Sequence, residues 1–286
     1  MRYERPETIE DVTTLLANAA GRSFVLAGGT DLLVRMKSDE FEADLIVDIK
    51  AIDGMTTIVH TADGFEIGAA VPCAALAENA ELVRAWPGVV EAANLIGSTQ
   101  IQGRCTIAGN LCNASPAADS VPAMIAAGAQ ARIAGPDGRR VVPVEDIPQG
   151  PGKTSLRKGE IIEAILLPHP GPRTGDAYLR FIPRTEMDIA VVGAGVHLTC
   201  DEAGQVATAR VALGAVGPKV ILSDEAARTI IGTRLDQAAL DALARACSDA
   251  SSPIADKRGT VAFRKHVVGV LAARAAKIAY QRAGEQ

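Results

Sequence analysis

Aromatic residues, basic charge and long apolar runs are all scarce in this chain of 286 residues. Phe, Trp and Tyr make up only 3% of the residues, so the core has to be built from Ala, Val, Leu and Ile. The net charge is −5, which argues against nucleic acid as a partner, because proteins that bind it usually carry a basic face. No apolar run is long enough to span a bilayer, and the N-terminal segment lacks the apolar region of a signal peptide. We therefore expect a cytoplasmic globular protein without a membrane span.

Clustered metal ligands are also missing from the sequence. The five cysteines stand at positions 73, 105, 112, 200 and 247, and no two of them form a CxxC pair. Metal clusters usually draw on closer spacings, and the four histidines are equally scattered. An odd number of scattered cysteines is typical of reduced thiols. We therefore expect no metal site, and we expect Cys105 and Cys112 to be small apolar fillers, with a redox role as the alternative.

A strand that ends in paired glycines is the first positive signal. Residues 24–27 form a short apolar run that predicts a buried strand, and Gly28-Gly29-Thr30-Asp31 follow it before apolar residues resume. Paired glycines leave backbone N–H groups uncovered by any Cβ atom, so an anion can approach the main chain closely. The N–H groups that open a following helix would add positive potential. Taken alone, this loop is more typical of an ordinary turn.

A second loop of the same character makes an anion site the better interpretation of the first loop. Residues 105–110 read CTIAGN, and they lie in a section rich in small residues and poor in charged ones. A surface linker would be more charged, so this section indicates a packed segment that lines a ligand. Two separated loops of small residues suit a ligand with two phosphates. The pair therefore predicts a dinucleotide site.

The order of predicted elements indicates an α+β protein. A strand, a loop, a short helix and a second strand near the N-terminus predict a compact parallel unit. Helices are predicted over residues 72–95 and 121–129, with strands at 131–134, 140–142 and 161–167. The proline-rich run at 168–172 predicts a boundary between domains 1–172 and 173–286. We expect the first domain to divide near residues 55–60, and the second to pack helices on one face of an antiparallel sheet.

Three motifs carry a resemblance to a known family. Residues 27–33 (AGGTDLL), 106–110 (TIAGN) and 114–119 (ASPAAD) stand in the order found in the FAD-binding medium subunits of the molybdenum hydroxylases, the xanthine dehydrogenase and carbon monoxide dehydrogenase group. The likeness extends to residues 184–190 and 263–274, so it covers nearly the whole chain. It implies a two-part FAD-binding domain of the PCMH type, followed by a small C-terminal α+β domain.

The same resemblance implies a set of site residues but no catalytic side chain. The main chain of residues 25–32 would hold the pyrophosphate, residues 106–110 would form a second cradle, and Asp119 would hydrogen-bond the polar part of the flavin. Ile96, Ile162 and Arg180 match positions beside the isoalloxazine ring. Ala108 is a departure, because many members have glycine there. The implied cofactor-binding residues are Val25, Leu26, Ala27, Gly28, Gly29, Thr30, Asp31, Leu32, Ile96, Thr106, Ile107, Ala108, Gly109, Asn110, Asp119, Ile162 and Arg180.

By resemblance, the protein is an electron-transfer subunit. A large partner subunit would hold the molybdenum cofactor and oxidise the substrate, and a small one would carry [2Fe–2S] clusters, in a dimer of heterotrimers. FAD in this chain would take those electrons and deliver them to NAD⁺, a quinone, oxygen or another acceptor. Thr30-Asp31 after the glycine pair is typical of members that act on aromatic or N-heterocyclic substrates. A self-contained FAD-dependent oxidoreductase and an assembly subunit that has lost the cofactor are the alternatives.

Three local patterns have simpler interpretations than a site. Asp119 could instead be the N-cap of the helix that follows it. Residues 193–198 are similar to a GxGxxG motif, but Leu198 occupies the third glycine position, so we predict an ordinary strand. The basic residues of the terminal helix are expected to form its solvated face, with contact to another subunit as the alternative: Arg264, Lys265, Arg274 and Lys277.

Overall fold

A small parallel sheet opens the fold. The computed structural model describes residues 1–285, and its first sheet has the strand order β1-β3-β2, all parallel. Thr8 caps the first helix by accepting the backbone N–H of Asp11. The predicted compact parallel unit is confirmed, and the structure adds a first strand that the sequence pattern did not indicate. Its elements are β1 (Arg2–Glu4), α1 (Ile9–Asn18), β2 (Ser23–Leu26), α2 (Leu32–Lys37) and β3 (Leu45–Asp48).

A five-stranded antiparallel sheet follows, in the order β4-β5-β10-β6-β7. Its strands are β4 (Ile58–Thr61), β5 (Gly64–Gly68), β6 (Gln130–Gly135), β7 (Gly138–Pro143) and β10 (Ile161–Pro168). Six short helices connect β5 to β6: α3 (Cys73–Glu78), α4 (Ala80–Ala85), α5 (Pro87–Ala93), α6 (Thr99–Gln102), α7 (Ile107–Cys112) and α8 (Ser120–Ala126). A 3₁₀ turn (Val144–Asp146) and a two-stranded hairpin of β8 (Pro148–Gly150) and β9 (Lys153–Thr154) complete this part.

The C-terminal part has the predicted arrangement of strands followed by helices. Its antiparallel sheet has the order β11-β12-β13-β14, made of β11 (Thr174–Phe181), β12 (Val192–Cys200), β13 (Val206–Gly214) and β14 (Ile221–Leu222). Three helices follow: α9 (Asp224–Arg228), α10 (Gln237–Ala250) and α11 (Val261–Gly284). Helix α11 packs against β11 and β12, and it does so closely: a Cβ atom on Gly175 would lie 2.1 Å from the carbonyl oxygen of Ala279. The α+β class is confirmed.

Side chains of the C-terminal sheet join the two parts of the chain. The buried Asp176 carboxylate accepts the backbone N–H groups of Gly88 and Val89, each at 3.1 Å, at the first turn of α5. Burial raises the pKa of Asp176 to about 7, although these two hydrogen bonds oppose the rise. On β12, a Cβ atom on Gly195 would lie 2.6 Å from the carbonyl oxygen of Pro122, so a glycine lets α8 approach the sheet. The region 193–198 is therefore a packed strand, as predicted.

One expectation about the terminal helix is wrong. Arg264 is buried, with its side chain only 4% exposed, and it does not belong to the solvated face. Its guanidinium donates to the carbonyl oxygen of Val191 and to the Asp256 carboxylate, both at 2.7 Å. Arg274 and Lys277 are exposed as expected. Among residues 1–285, no helix has both the length and the hydropathy needed to cross a bilayer.

Candidate cofactor site

The two glycine-bearing loops line one cavity of about 470 Å³. Cavities of this size are typical of small-molecule and cofactor sites. Strand β2, the loop after it, helix α7 and the start of β10 all contribute to its wall. It brings together most of the residues predicted from the sequence: Val25, Ala27, Gly28, Gly29, Thr30, Asp31, Leu32, Ile96, Thr106, Ala108, Gly109, Asn110 and Ile162.

The first loop presents a run of backbone N–H groups without acceptors. Within the described chain, none of the N–H groups of residues 28–32 donates a hydrogen bond to a protein atom, and all five residues line the cavity. Gly29 has φ +79, a left-handed conformation that favours glycine, and its carbonyl oxygen accepts the N–H of Leu33 at the start of α2. Consecutive free N–H groups of this kind form a concave site for an anion.

The second loop adds three more N–H groups at the start of α7. The Thr106 hydroxyl accepts the N–H of Gly109 at 2.9 Å, which caps the helix. In the part of the chain that the structure describes, the N–H groups of Thr106, Ile107 and Ala108 find no protein acceptor. The methyl group of Ala108 is accommodated in the cavity wall, so this departure from the family pattern leaves the loop intact.

The two loops touch each other directly. A Cβ atom on Gly28 would lie 2.1 Å from the carbonyl oxygen of Arg104 and 3.0 Å from Cα of Cys105. Only glycine allows this approach, because real Cβ atoms do not come so close to a carbonyl group. The two distant segments therefore offer eight N–H groups without protein acceptors, seven of them on residues that line one cavity, and a diphosphate offers the acceptors that they lack.

Four of the predicted site residues do not line the cavity. Leu26 and Ile107 lie on the same loops, but their side chains are buried in the hydrophobic core. Asp119 and Arg180 pair with each other: Arg180 Nη1 donates to Asp119 Oδ2 at 2.7 Å, with side chains 11% and 4% exposed. Burial raises the pKa of Asp119 to about 6, and the neighbouring Arg180 opposes the rise.

Asp119 also does not cap helix α8, so that alternative is wrong. Its carboxylate makes no hydrogen bond to the helix, because Arg180 and, at 3.5 Å, the Tyr178 hydroxyl occupy it. The next residue, Ser120, donates from its N–H and its hydroxyl to Oδ1 of Asn110, which lines the cavity. The Asp119–Arg180 ion pair is therefore next to the cavity wall but not part of it: Asp119 is adjacent in sequence to Ser120, which bonds to the lining residue Asn110.

Sequence reasoning missed several lining residues. Some have a visible signal, since Ser23 and Phe24 precede the first loop on β2, and Gly152 lies in the proline- and glycine-rich loop before β10. Cys105 is the first residue of the predicted second loop, and Cys112 and Asn113 follow that loop closely. The others come from separate elements and have no such signal. These remaining lining residues are Arg35, Ile49, Ala69, Thr154, Leu156, Glu160 and Ile161.

Comparison with known families agrees with this geometry. Residues 1–170 match the family described as the FAD binding domain in molybdopterin dehydrogenase. The chain belongs to this family. Residues 177–279 match the CO dehydrogenase flavoprotein C-terminal domain. The protein is thus an FAD-binding subunit of the carbon monoxide and xanthine dehydrogenase type, and its cofactor is FAD.

Similar proteins cover almost the full length of this FAD-binding subunit. The carbon monoxide dehydrogenase medium chain of Afipia carboxidovorans is 32% identical over 281 residues, which is 98% of this chain and 97% of that protein. The xanthine dehydrogenase FAD-binding subunit of Escherichia coli O157:H7 is 31% identical and covers 99% and 97%. A solved structure of reconstituted CO dehydrogenase from Oligotropha carboxidovorans superposes with a TM-score of 0.94 at 31% identity, over 99% of this chain and 98% of that one.

Proposed function

We propose that this subunit holds FAD between the two loops and passes electrons through it from a partner subunit to an external acceptor. The observation that carries the proposal is the set of eight N–H groups without acceptors on residues 28–32 and 106–108, seven of which line one cavity. FAD supplies the exchange between one-electron and two-electron steps. The residues of this chain bind and orient it, and none of them needs to act as nucleophile or general base.

Each part of the cavity has a role in this proposal. The N–H groups of both loops hold the pyrophosphate, and the Thr106 cap fixes the second set in place. Ile96 and Ile162 form the apolar wall beside the isoalloxazine ring and exclude water there. Asn110 connects the wall to Ser120, and through it to the Asp119–Arg180 pair that braces the wall from behind.

The proposed partners follow from the relatives. Both curated relatives are subunits of larger enzymes, one a medium chain and one an FAD-binding subunit. We propose a large subunit with the molybdenum cofactor and a small subunit with [2Fe–2S] clusters, assembled as a dimer of heterotrimers. We further propose an aromatic or N-heterocyclic substrate, supported by Thr30-Asp31 and by similarity to a xanthine dehydrogenase subunit.

A glycine substitution tests the cofactor site. Gly28→Ala places a Cβ atom 2.1 Å from the Arg104 carbonyl oxygen and forces the loops apart, so we expect at least a roughly tenfold loss of bound FAD. Gly103→Ala is the matched control, because its nearest neighbour would be Gln100 O at an ordinary 3.7 Å. The measurement is flavin absorbance per folded chain, with circular dichroism to verify folding. Full FAD content in a folded Gly28→Ala variant contradicts the assignment.

Purification of the native complex tests the electron-transfer role. We expect molybdenum- and iron-containing subunits to copurify with this chain, and the flavin absorbance to bleach anaerobically when the substrate of the large subunit is added. Copurification of neither metal, with flavin reduction by a substrate that the isolated chain binds, would instead support a self-contained oxidoreductase.

A further inference from the structure

Two of the five cysteines meet beside the cavity, with Cys105 in its wall and Cys73 behind it. The backbone N–H of Cys73, at the start of α3, donates to the carbonyl oxygen of Cys105 at 2.8 Å. This direct main-chain bond is compatible with the separation of about 4.4–6.8 Å between Cα atoms that a disulfide requires. Both side chains are buried, at 0% and 3% exposure, in the same hydrophobic cluster. The sequence gives no hint of this pairing, because the more conspicuous neighbour of Cys105 is Cys112.

The two thiols differ in their surroundings, and the difference assigns them different roles. A hydrogen bond from the Cys73 thiol lowers the pKa of Cys105, whereas the same bond, together with burial, raises the pKa of Cys73. Cys105 also lines the cavity, while Cys73 lies behind it. Oxidant-sensitive cysteines combine thiolate character and access with a second cysteine close by. Of the two, Cys105 has the lowered pKa and is the one that lines the cavity, and Cys73 is the second cysteine close by.

We propose that Cys105 and Cys73 form a peroxide-sensitive dithiol, in which Cys105 reacts first and Cys73 closes the disulfide. The Cys105 thiolate attacks one oxygen of hydrogen peroxide, the O–O bond breaks, and hydroxide leaves, so that Cys105 becomes a sulfenic acid. The Cys73 sulfur then attacks Cys105 Sγ and gives up its proton, and the sulfenic oxygen leaves as water. Two thiols are oxidised by two electrons, and one peroxide is reduced to two waters.

The position of the pair gives this oxidation a consequence for the cofactor. Cys105 directly precedes Thr106, which caps α7 and opens the second cradle, and it contacts the first loop through Gly28. A disulfide would tie this junction to the start of α3. A protein whose flavin can reduce oxygen to peroxide would thereby carry a sensor for that peroxide beside the cofactor. The thiol chemistry itself does not depend on the proposed electron-transfer role.

Mass spectrometry of the FAD-loaded protein tests the pair. The protein is reduced, freed of reductant, treated with graded hydrogen peroxide, alkylated under denaturing conditions and digested without reductant. We expect a peptide in which Cys73 and Cys105 are linked, lighter by two hydrogen atoms and separable by dithiothreitol. FAD content is measured before peroxide is added, so a failure of cofactor binding is recognised separately from a failure of thiol oxidation.

Serine substitutions distinguish the two roles. In Cys73→Ser, we expect Cys105 to stop at the sulfenic acid, which dimedone labels, and in Cys105→Ser we expect Cys73 to remain a thiol. Cys247→Ser is the matched control, because Cys247 is equally buried but belongs to the C-terminal core, and the linked peptide should persist. The proposal is overturned if Cys73 and Cys105 both stay alkylatable at peroxide concentrations that oxidise Cys112, or if Cys105 pairs with Cys112 instead.

Discussion

Removing Arg180 should destabilise the protein strongly, and more so at high pH. The pair of Arg180 and Asp119 is nearly solvent-free, with side chains 4% and 11% exposed and a hydrogen bond of 2.7 Å between them. Arg180→Met leaves the carboxylate buried without its cation, and breaking a buried pair in this way costs about 3–5 kcal/mol. We expect a loss of that size in the free energy of unfolding, measured with urea at pH 8.

The pH dependence follows from the pKa of Asp119. In the folded protein it is raised to about 6, compared with about 4 in an unfolded chain, so its contribution to stability is present below pH 4 and is lost as the pH rises through 6. Without Arg180 the folded pKa rises further, and the loss continues to higher pH. The difference between wild type and Arg180→Met should therefore be less than half as large at pH 5 as at pH 8.

A double-mutant cycle checks the reasoning. Asp119→Asn combined with Arg180→Met removes both charges, so it should be more stable than the sum of the single changes predicts, by on the order of 2 kcal/mol. Arg184→Met is the control, because Arg184 pairs with Asp188 at the surface, is 69% exposed, and should cost less than about 1 kcal/mol. Additive single changes with no pH dependence would refute the account.

Two further outcomes follow from hydrogen bonds at other places in the fold. Thr106→Ala removes the acceptor of the Gly109 N–H, so we expect a loss of about 1 kcal/mol in unfolding free energy and faster FAD dissociation, measured by fluorescence on dilution, whereas Thr106→Ser should behave as wild type. Asp176 has a pKa raised to about 7, so wild-type stability should fall by up to ~1.4 kcal/mol per pH unit between pH 5 and 7 relative to Asp176→Asn. Parallel urea-unfolding profiles for these two proteins would contradict that assignment.

Local patterns predicted the elements whose side chains alternate or repeat. The strand before Gly28 and the packed strand at residues 193–198 were accessible, because composition and spacing within a few residues determine them. The first of these, β2, was expected to be buried, but it is an edge strand in which Val25 is 36% exposed. Strands β1 and β4 were missed, since they have three and four residues and exist only through pairing with partners elsewhere in the chain. The order of the predicted elements and the family resemblance both indicated the α+β class, which the structure confirms.

Contacts between distant segments were beyond the sequence pattern. In the sequence, Arg264 looks like its exposed neighbours on a helical face. In the structure it is buried, and its guanidinium donates to Val191 and Asp256, which come from two other loops. The pairing of Cys105 with Cys73 and of Asp119 with Arg180 likewise depends on which loops the fold brings together. The domain boundary at residue 172 and the individual FAD contacts stay predictions.

The free N–H groups of residues 28–32 also make the stability of this subunit dependent on the supply of flavin. Main-chain donors that lack a protein acceptor have to be satisfied by water until FAD arrives, so the unloaded form gains less from folding. At a free FAD concentration one hundred times Kd, binding would add about 2.7 kcal/mol to the free energy of unfolding. A cell short of riboflavin would consequently hold a larger unfolded fraction of this subunit, and proteases would clear it before it joined its partners.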